Sequence, residues 1–352
     1  MRYPRFLSEQ GTIGFVAPSF GCATEPYKSA FDHALQVFQD MGYHICLGAN
    51  CYEDRGIGIS NVPQECGREL NEMYCDSSSD ILISCGGGEL MCEVIPYMDF
   101  GRIGKNEPKW YMGYSDNTNF TYLLATICDT ASVYGPCAST FGMEPWHTSL
   151  QDAFDLLCGK KKSVQDYAMW EREGGRDEEH PLAPYNLTEP VNIRRFACEE
   201  GVAHRLEDEA KEIQLQGRLI GGCMDCLVNL LGTEYDRTQQ FVDRYAGDGI
   251  IWFLEACELN VMSIRRAIWQ MKHAGWFSHV KGFLIGRPLC YGQEMFGIDH
   301  YRAVTDLLAE YGVPILMDLD IGHFAPMMPI VCGGSADITA TGKGVQITYT
   351  WK

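Results

Sequence analysis

The chain has 352 residues, 46% of them apolar and 21% charged, an ordinary globular composition with enough length for two hydrophobic cores rather than one. Its formal charge of −19 argues against a nucleic-acid partner, because displacing counterions from a phosphate backbone needs clustered Lys and Arg. No window holds the about 20 uninterrupted apolar residues of a bilayer span, and the opening MRYPRFLSEQ lacks the apolar run of a signal peptide, so a cytoplasmic protein without membrane contact is expected.

From residue 11 to about 130, short apolar runs alternate with amphipathic stretches: TIGFVAP, YKSAFDHALQVFQDMG, YHICLG, PQECGRELNEMYC, DILISC, KWYMGYSD and TNFTYLLATIC. Strand and helix alternating at these lengths predict a parallel sheet with crossover helices. Phe31, Leu35 and Phe38 fall on one face at helical spacing. Residues 1–160 are therefore read as a first α/β domain. Between 161 and 215 the periodicity fades into EREGGRDEEHPLAP, NIRRF and LEDEAKE, which reads as a linker or long insertion, a place where lids are often found. From 216 the alternation resumes through LIGGCMDCLVNLLG, GIIWFLEA, NVMSIRRAIWQMKHAG, KGFLIGR, HYRAVTDLLAEYG and VPILMD, giving a second α/β domain over 216–352.

The sixteen cysteines are scattered singly through apolar segments, the pattern of buried reduced thiols rather than of disulfides. Cys223 and Cys226 form a C-x-x-C, but no second pair with metal-site spacing accompanies it, and both fit a buried helical stripe with Leu227 and Leu230.

The sharpest local feature is KWYMGYSDNTNF, where an apolar strand runs through Gly113, Tyr114, Ser115 and Asp116 into a helix. A serine there is lifted clear of the sheet's carboxyl edge, with the first helical amides facing any developing negative charge. The plainer alternative is that Ser115 or Asp116 caps the helix. Upstream, a strand ends in Gly86, Gly87 and Gly88, which suits an oxyanion hole or simply a tight turn. Neither a Walker lysine nor G-x-G-x-x-G spacing accompanies the glycines, so no nucleotide cofactor is expected. Cys85, on the same strand, is the rival nucleophile, with a buried structural thiol as its alternative. Of the nine histidines, His323 stands apart in the loop IGHFAPMMP, at the strand-end position where α/β sites are built. Glu255 ends the strand GIIWFLEA, where an unpaired charge is costly, and is preferred over Glu258 as the carboxylate that would orient a histidine.

These landmarks together resemble the serine peptidases comprising LD-carboxypeptidases and microcin C self-immunity peptidases. They are G-F-x-A-P-S at Gly14–Ser19, the glycines at Gly86–Gly87, G-Y-S-D at Gly113–Asp116 and Y-G-P at Tyr134–Pro136. G-R-L-I-G-G at Gly217–Gly222, the strand end at Glu255 and G-H-x-x-P at Gly322–Pro326 complete the set. The resemblance implies an N-terminal doubly wound, mostly parallel sheet, a C-terminal α/β domain of mixed strands, and a homodimer. It also implies a triad of Ser115, Glu255 and His323, with backbone amides of Gly87 and Asp116 as oxyanion donors and Gly86 beside them. Where many LD-carboxypeptidases have an aromatic residue and then glycine after the Gly-Gly, this chain has Gly88 and Glu89. The long 161–215 segment is closer to the microcin-immunity branch, in which Trp170 would stack on a nucleobase; simple packing is its other reading. The implied substrate is a small peptide-like amide or an aminoacyl-nucleotide, with a murein tetrapeptide as the alternative. An inactive ligand-binding module is the competing class. No metal or organic cofactor is called for, and no H-E-x-x-H occurs.

Overall fold

The computed structural model describes residues 1–351, which group into two compact units. The first comprises Met1–Lys162, Glu173–Asn186 and Pro329–Cys332; the second comprises Ser163–Arg172, Leu187–Met328 and the chain from Gly333 onward. The segment expected as a linker or insertion is thus divided between the two units, and parts of it are regular strand.

In the first unit, β1 (Thr12–Val16), β2 (His44–Leu47), β3 (Ile81–Ser84), β4 (Trp110–Gly113) and β5 (Ser132–Tyr134) run parallel in the order β2-β1-β3-β4-β5. Ile330–Cys332 adds an antiparallel edge on β5. An order that turns back at β1 is that of a doubly wound sheet. Every residue of β3, β4 and β5 is buried, the mark of a parallel sheet covered on both faces. The helix Tyr27–Asp40 buries Ala30, Phe31, Ala34 and Phe38; Leu35, expected on that face, is only half-buried. Burial of each Phe ring contributes about 1.5–3 kcal/mol. Because β3 and β4 are adjacent and parallel, with Ile83 opposite Met112, the glycine run after β3 and the G-Y-S-D turn after β4 emerge side by side.

The second unit is a mixed sheet. Its strands are β6 (Ser163–Gln165), β9 (Arg194–Glu199), β10 (Val202–Arg205), β11 (Ile213–Cys223), β12 (Ile250–Glu255), β13 (Val280–Gly286), β16 (Ile315–Leu319), β18 (Ser335–Thr341) and β19 (Gly344–Thr350). Two-residue strands form the small pairs β7 (Met169–Trp170) with β8 (Glu189–Pro190), and β14 (Glu294–Met295) with β15 (Ile298–Asp299); β17 is the strand Ile330–Cys332 already placed. The order is β10-β9-β16-β13-β12-β11-β18-β19-β6. β11, β12, β13 and β16 are parallel, and the flanking strands are antiparallel. Cys223 ends β11 and only Cys226 lies in the helix Met224–Leu230, so the expected single helical stripe is split by the strand end. None of the sixteen cysteines is joined in a disulfide and none is exposed. Among the described residues, no helix is long and apolar enough to cross a membrane.

Candidate active site

In the first unit, Ser115 has φ 62°, a left-handed backbone that costs a non-glycine residue free energy and persists only where its surroundings impose it. The cap positions of the short turn Ser115–Asn117 and of the helix Thr118–Thr126 fall at Tyr114 and Asn117, so capping is not what holds Ser115 in this geometry. Its amide donates to the Tyr134 hydroxyl at 3.1 Å. Gly87 lies against it: a Cβ there would sit 3.2 Å from Ser115 Cβ and 3.3 Å from Oγ. A side chain there would crowd the hydroxyl, and Ser115 would have to give by a few tenths of an ångström. Gly86 is packed on Phe20, whose atoms begin 3.2 Å from a built Cβ.

Two buried side chains brace this turn. The Asp116 carboxylate accepts from the Met91 amide at 2.8 Å, from Asn119 Nδ2 at 2.9 Å and from the Ser19 hydroxyl. Asn117 Nδ2 donates to the carbonyls of Gly86 at 2.8 Å and Tyr114 at 3.0 Å, and its Oδ1 accepts from Tyr111. Glycine run, serine turn and helix are thereby one hydrogen-bonded block. Sequence reading noted Ser19 and Tyr134 only as landmarks and missed Asn117, whose role depends on three contacts outside its own helix. Cys85 is fully buried beside Cys22 and Cys51, and burial pushes its thiol well above the usual range. A thiol so protonated is a poor nucleophile.

In the second unit, β12 is buried throughout and ends in Glu255, which is 0% exposed. His323 Nδ1 lies 2.9 Å from Glu255 Oε2. The loop after β16 reaches Glu255 across β13, and Gly286 permits the crossing: a Cβ there would be 3.0 Å from Glu255 Cβ and would collide with the Ile321 carbonyl. Burial by itself lowers the His323 pKa, but the Glu255 charge, with hydrogen bonds to Cys257 and Glu255, outweighs it and holds the ring well above its ordinary value. Since the carboxylate accepts at Nδ1, that nitrogen carries the proton and Nε2 is left as the basic atom. Glu258 is exposed; its amide and that of Cys257 donate to Asp225 at 2.9 and 3.0 Å. Asp225 thus shapes the turn behind Glu255, a role the sequence did not signal.

The His323 loop is anchored from several sides. Fully buried Asp320 pairs with Arg287, accepts from the Tyr167 amide at 2.7 Å, and through its carbonyl accepts from Met328 at 2.6 Å. The Glu171 amide donates to the Ala325 carbonyl at 2.7 Å. Trp170, expected either to stack on a nucleobase or to pack, is 4% exposed. It is enclosed by Phe324 at 4.9 Å, Tyr291 at 5.5 Å and the Arg287 guanidinium at 4.9 Å. In this structure it packs. Among the described residues, no group of three or more His, Cys, Asp or Glu side chains could hold a metal ion.

Residues 13–135 match the LD-carboxypeptidase N-terminal domain and residues 216–338 the LD-carboxypeptidase C-terminal domain. The chain belongs to the LD-carboxypeptidase family of serine peptidases. Ser115 falls in the first match, Glu255 and His323 in the second. The chain is 23% identical to the microcin C7 self-immunity protein MccF of Escherichia coli, covering 97% of this chain and 94% of that protein. It is 22% identical to a Bacillus subtilis protein named "probable murein peptide carboxypeptidase", over 98% of this chain and 93% of that one. Among solved structures, an MccF-like protein from Bacillus anthracis superposes with a TM-score of 0.80 at 21% identity, covering 99% of this chain and 100% of the other. MccF bound to glutamyl sulfamoyl guanosine superposes with a TM-score of 0.78 at 21% identity, over 99% and 98%. The fold of this LD-carboxypeptidase relative is therefore that of MccF, and the chain is a hydrolase.

Proposed function

We propose that the protein is a serine carboxypeptidase or amidase that cleaves a small peptide-like amide through Ser115, His323 and Glu255. The observation that carries this reading is Ser115 itself, a non-glycine residue held at φ 62° with Gly87 against its hydroxyl. Such a turn is the strained strand-to-helix elbow that presents a nucleophile. The His323–Glu255 contact of 2.9 Å supports the assignment of base and orienting carboxylate.

Ser115 Oγ attacks the scissile carbonyl carbon while His323 Nε2 takes its proton. The carbonyl oxygen becomes an oxyanion that accepts hydrogen bonds from the Gly87 and Asp116 amides. Glu255 stabilises the imidazolium without itself becoming protonated. His323 then gives its proton to the leaving nitrogen as the C–N bond breaks, leaving an ester on Ser115. Water, deprotonated by His323, attacks that ester; the proton returns to Ser115 Oγ and a carboxylic acid departs.

The preferred substrate is an aminoacyl- or peptidyl-nucleotide, as in the microcin-immunity branch. The murein tetrapeptide reading gains from one observation: Trp170 is enclosed by Phe324, Tyr291 and Arg287 and offers no open face to a base. A homodimer is proposed on the family resemblance, and light scattering of the purified chain tests it. The deciding experiment is hydrolysis of an L,D-tetrapeptide and of an aminoacyl sulfamoyl adenosine by wild type and by Ser115→Ala. Cleavage by the wild type alone supports the mechanism, and the better substrate selects the branch. Full activity in the variant removes Ser115 from the chemistry; inactivity of both on both compounds returns the binding-module reading.

A further inference from the structure

Within the stretch from 172 to 180 every residue is exposed except Arg176, which is half-buried. Its guanidinium lies 5.1 Å from the centre of the Tyr27 ring, and Nη1 donates to the Ser139 carbonyl at 3.3 Å. Among the described residues it makes no ion pair, whereas Arg68, Arg218, Arg265 and Arg287 all pair with carboxylates. Arg2 and Arg195 also pair with no acid among the described residues, but each spends its guanidinium on two backbone carbonyls, whereas Arg176 reaches only one in a chain of net charge −19. A guanidinium has five N–H donors and no acceptor. A ring face and one carbonyl leave most of them free.

Both of its contacts lead back to the serine turn. Tyr27 meets Phe20 edge-on at 5.4 Å, and the Phe20 amide donates to the Gly87 carbonyl at 2.8 Å, with Gly87 lying against Ser115. Ser139 follows Cys137 by two residues, and the Cys137 sulfur accepts from Asn117 Nδ2 at 3.7 Å, the same amide that holds the carbonyls of Gly86 and Tyr114. Burial raises both the Tyr114 phenol and the Cys137 thiol, and the Arg176 charge opposes that rise at each. Its field therefore reaches the end of β4.

We propose that Arg176 is the specificity-determining cation of this hydrolase, binding an anionic group of the substrate beside the amide presented to Ser115. This rests on the reading of Ser115 as nucleophile. A planar guanidinium pairs bidentately with a carboxylate or a phosphate-like oxyanion. In an acidic protein it also offsets the general repulsion an anionic substrate meets. The shared chemistry is the oxyanion; its source is either a peptide carboxylate or the charged linkage of an aminoacyl-nucleotide.

The test uses the purified full chain and two matched pairs of compounds. One pair is an L,D-tetrapeptide and its terminal carboxamide; the other is an aminoacyl sulfamoyl adenosine and the uncharged aminoacyl amide of 5′-amino-5′-deoxyadenosine. Arg176→Ala is expected to lower kcat/KM on the charged member of the preferred pair by about 10- to 100-fold, mainly through KM, as loss of a charge-assisted hydrogen bond predicts. The neutral member should be cleaved as by wild type, and Arg176→Lys should recover part of the loss. The pair that responds identifies the oxyanion's source. Equal losses on charged and neutral members, with activity still dependent on Ser115, overturn the proposal alone. If Arg176→Ala does not fold, Arg176→Lys and Arg176→Gln carry the same comparison, and equal effects of Gln on both members again overturn it. If Ser115→Ala keeps activity, the nucleophile reading fails and this proposal falls with it.

Discussion

A Cβ on Gly322 would lie 2.6 Å from Glu255 Oε2 and 2.9 Å from its Cβ, and Gly322 itself has φ 110°. The residue before His323 is therefore glycine on two independent grounds: the backbone angle, and the carboxylate that fills the space a side chain would need. Gly322→Ala is expected to push His323 off Glu255, lowering kcat/KM by at least about 10-fold and stability by about 1–3 kcal/mol, the cost of forced left-handed strain. Kinetics combined with urea unfolding check both effects. Wild-type values for both would show that the loop adapts and that the close approach has no consequence.

In the proposed mechanism, Glu255 also sets the pH behaviour of the reaction. Its charge holds His323 well above the ordinary histidine value, and a general base must be neutral to act. Activity should accordingly rise with pH through that elevated pKa. Glu255→Gln removes the charge, so the acid limb of the kcat/KM profile should move to lower pH while the plateau falls by about 10³–10⁴-fold, as expected when the orienting carboxylate of a triad is lost. The same shift bears on stability. A histidine whose folded pKa exceeds its unfolded value stabilises fully below about 6.5, and that contribution is lost as pH rises through the folded pKa. Melting temperature measured across this window should fall in the wild type and stay flatter in Glu255→Gln; an unmoved acid limb in the variant contradicts the assignment.

How much of this was legible beforehand follows the range of the interactions. The parallel alternation of the first unit was readable because strand ends and glycines are local signals, and the same kind of signal marks the turn at Ser115, the strand end at Glu255 and the loop at His323 on which the proposed mechanism is built. The strand β9 was not: NIRRF reads as a basic loop, yet Arg195 is 2% exposed, its guanidinium donating to the carbonyls of Asp208 and Lys211. Trp170 could not be placed from its neighbours, because Tyr291 and Phe324, more than a hundred residues along, enclose it. His300, in an amphipathic stretch, is 2% exposed and packed on Tyr301 at 3.8 Å. Tertiary partners decide such cases, and a sequence window does not contain them.

Gly87 is predicted to be intolerant of a side chain for a reason distinct from fold stability. A methyl group there would sit 3.2 Å from Ser115 Cβ and 3.3 Å from Oγ, displacing the amide assigned to the oxyanion. Gly87→Ala should lower kcat by about 10²-fold or more, the typical cost of an oxyanion donor, with a smaller change in KM. Pre-steady-state measurement of acyl-enzyme formation isolates the step. A variant with normal kcat and raised KM would place Gly87 in substrate binding instead.

Cys85 offers a clean negative. Its sulfur is fully buried and its thiol is pushed well above the usual range, so it should resist iodoacetamide in the folded protein. Cys85→Ala should leave kcat/KM unchanged, at a stability cost of about 1 kcal/mol from the lost packing. Loss of activity on alkylation that disappears in Cys85→Ala would restore it as the nucleophile.

The buried pair behind the His323 loop makes the last prediction. Arg287 is 2% exposed and Asp320 0%; burial pulls the guanidinium down to about 10 despite the acidic neighbours that oppose it. Asp320 also holds the Tyr167 amide at 2.7 Å, so it fixes both the strap formed by residues 163–172 and the start of the loop that carries His323. Removing one member of such a pair strands a charge in a dry interior and typically costs about 3–5 kcal/mol, whereas replacing both by apolar groups of similar volume is far milder. Arg287→Met should therefore destabilise the chain by several kcal/mol in urea, and adding Asp320→Leu should recover part of that loss. The double variant should nonetheless remain impaired in kcat, because an aliphatic side chain in place of Asp320 cannot accept from the Tyr167 amide and the His323 loop would lose that anchor. If the double variant were as unstable as the single one, the pair would be contributing attraction beyond its desolvation cost. If it regained stability and full kcat together, the loop would be held by its remaining contacts, those of Trp170 with Phe324 and of Glu171 with Ala325.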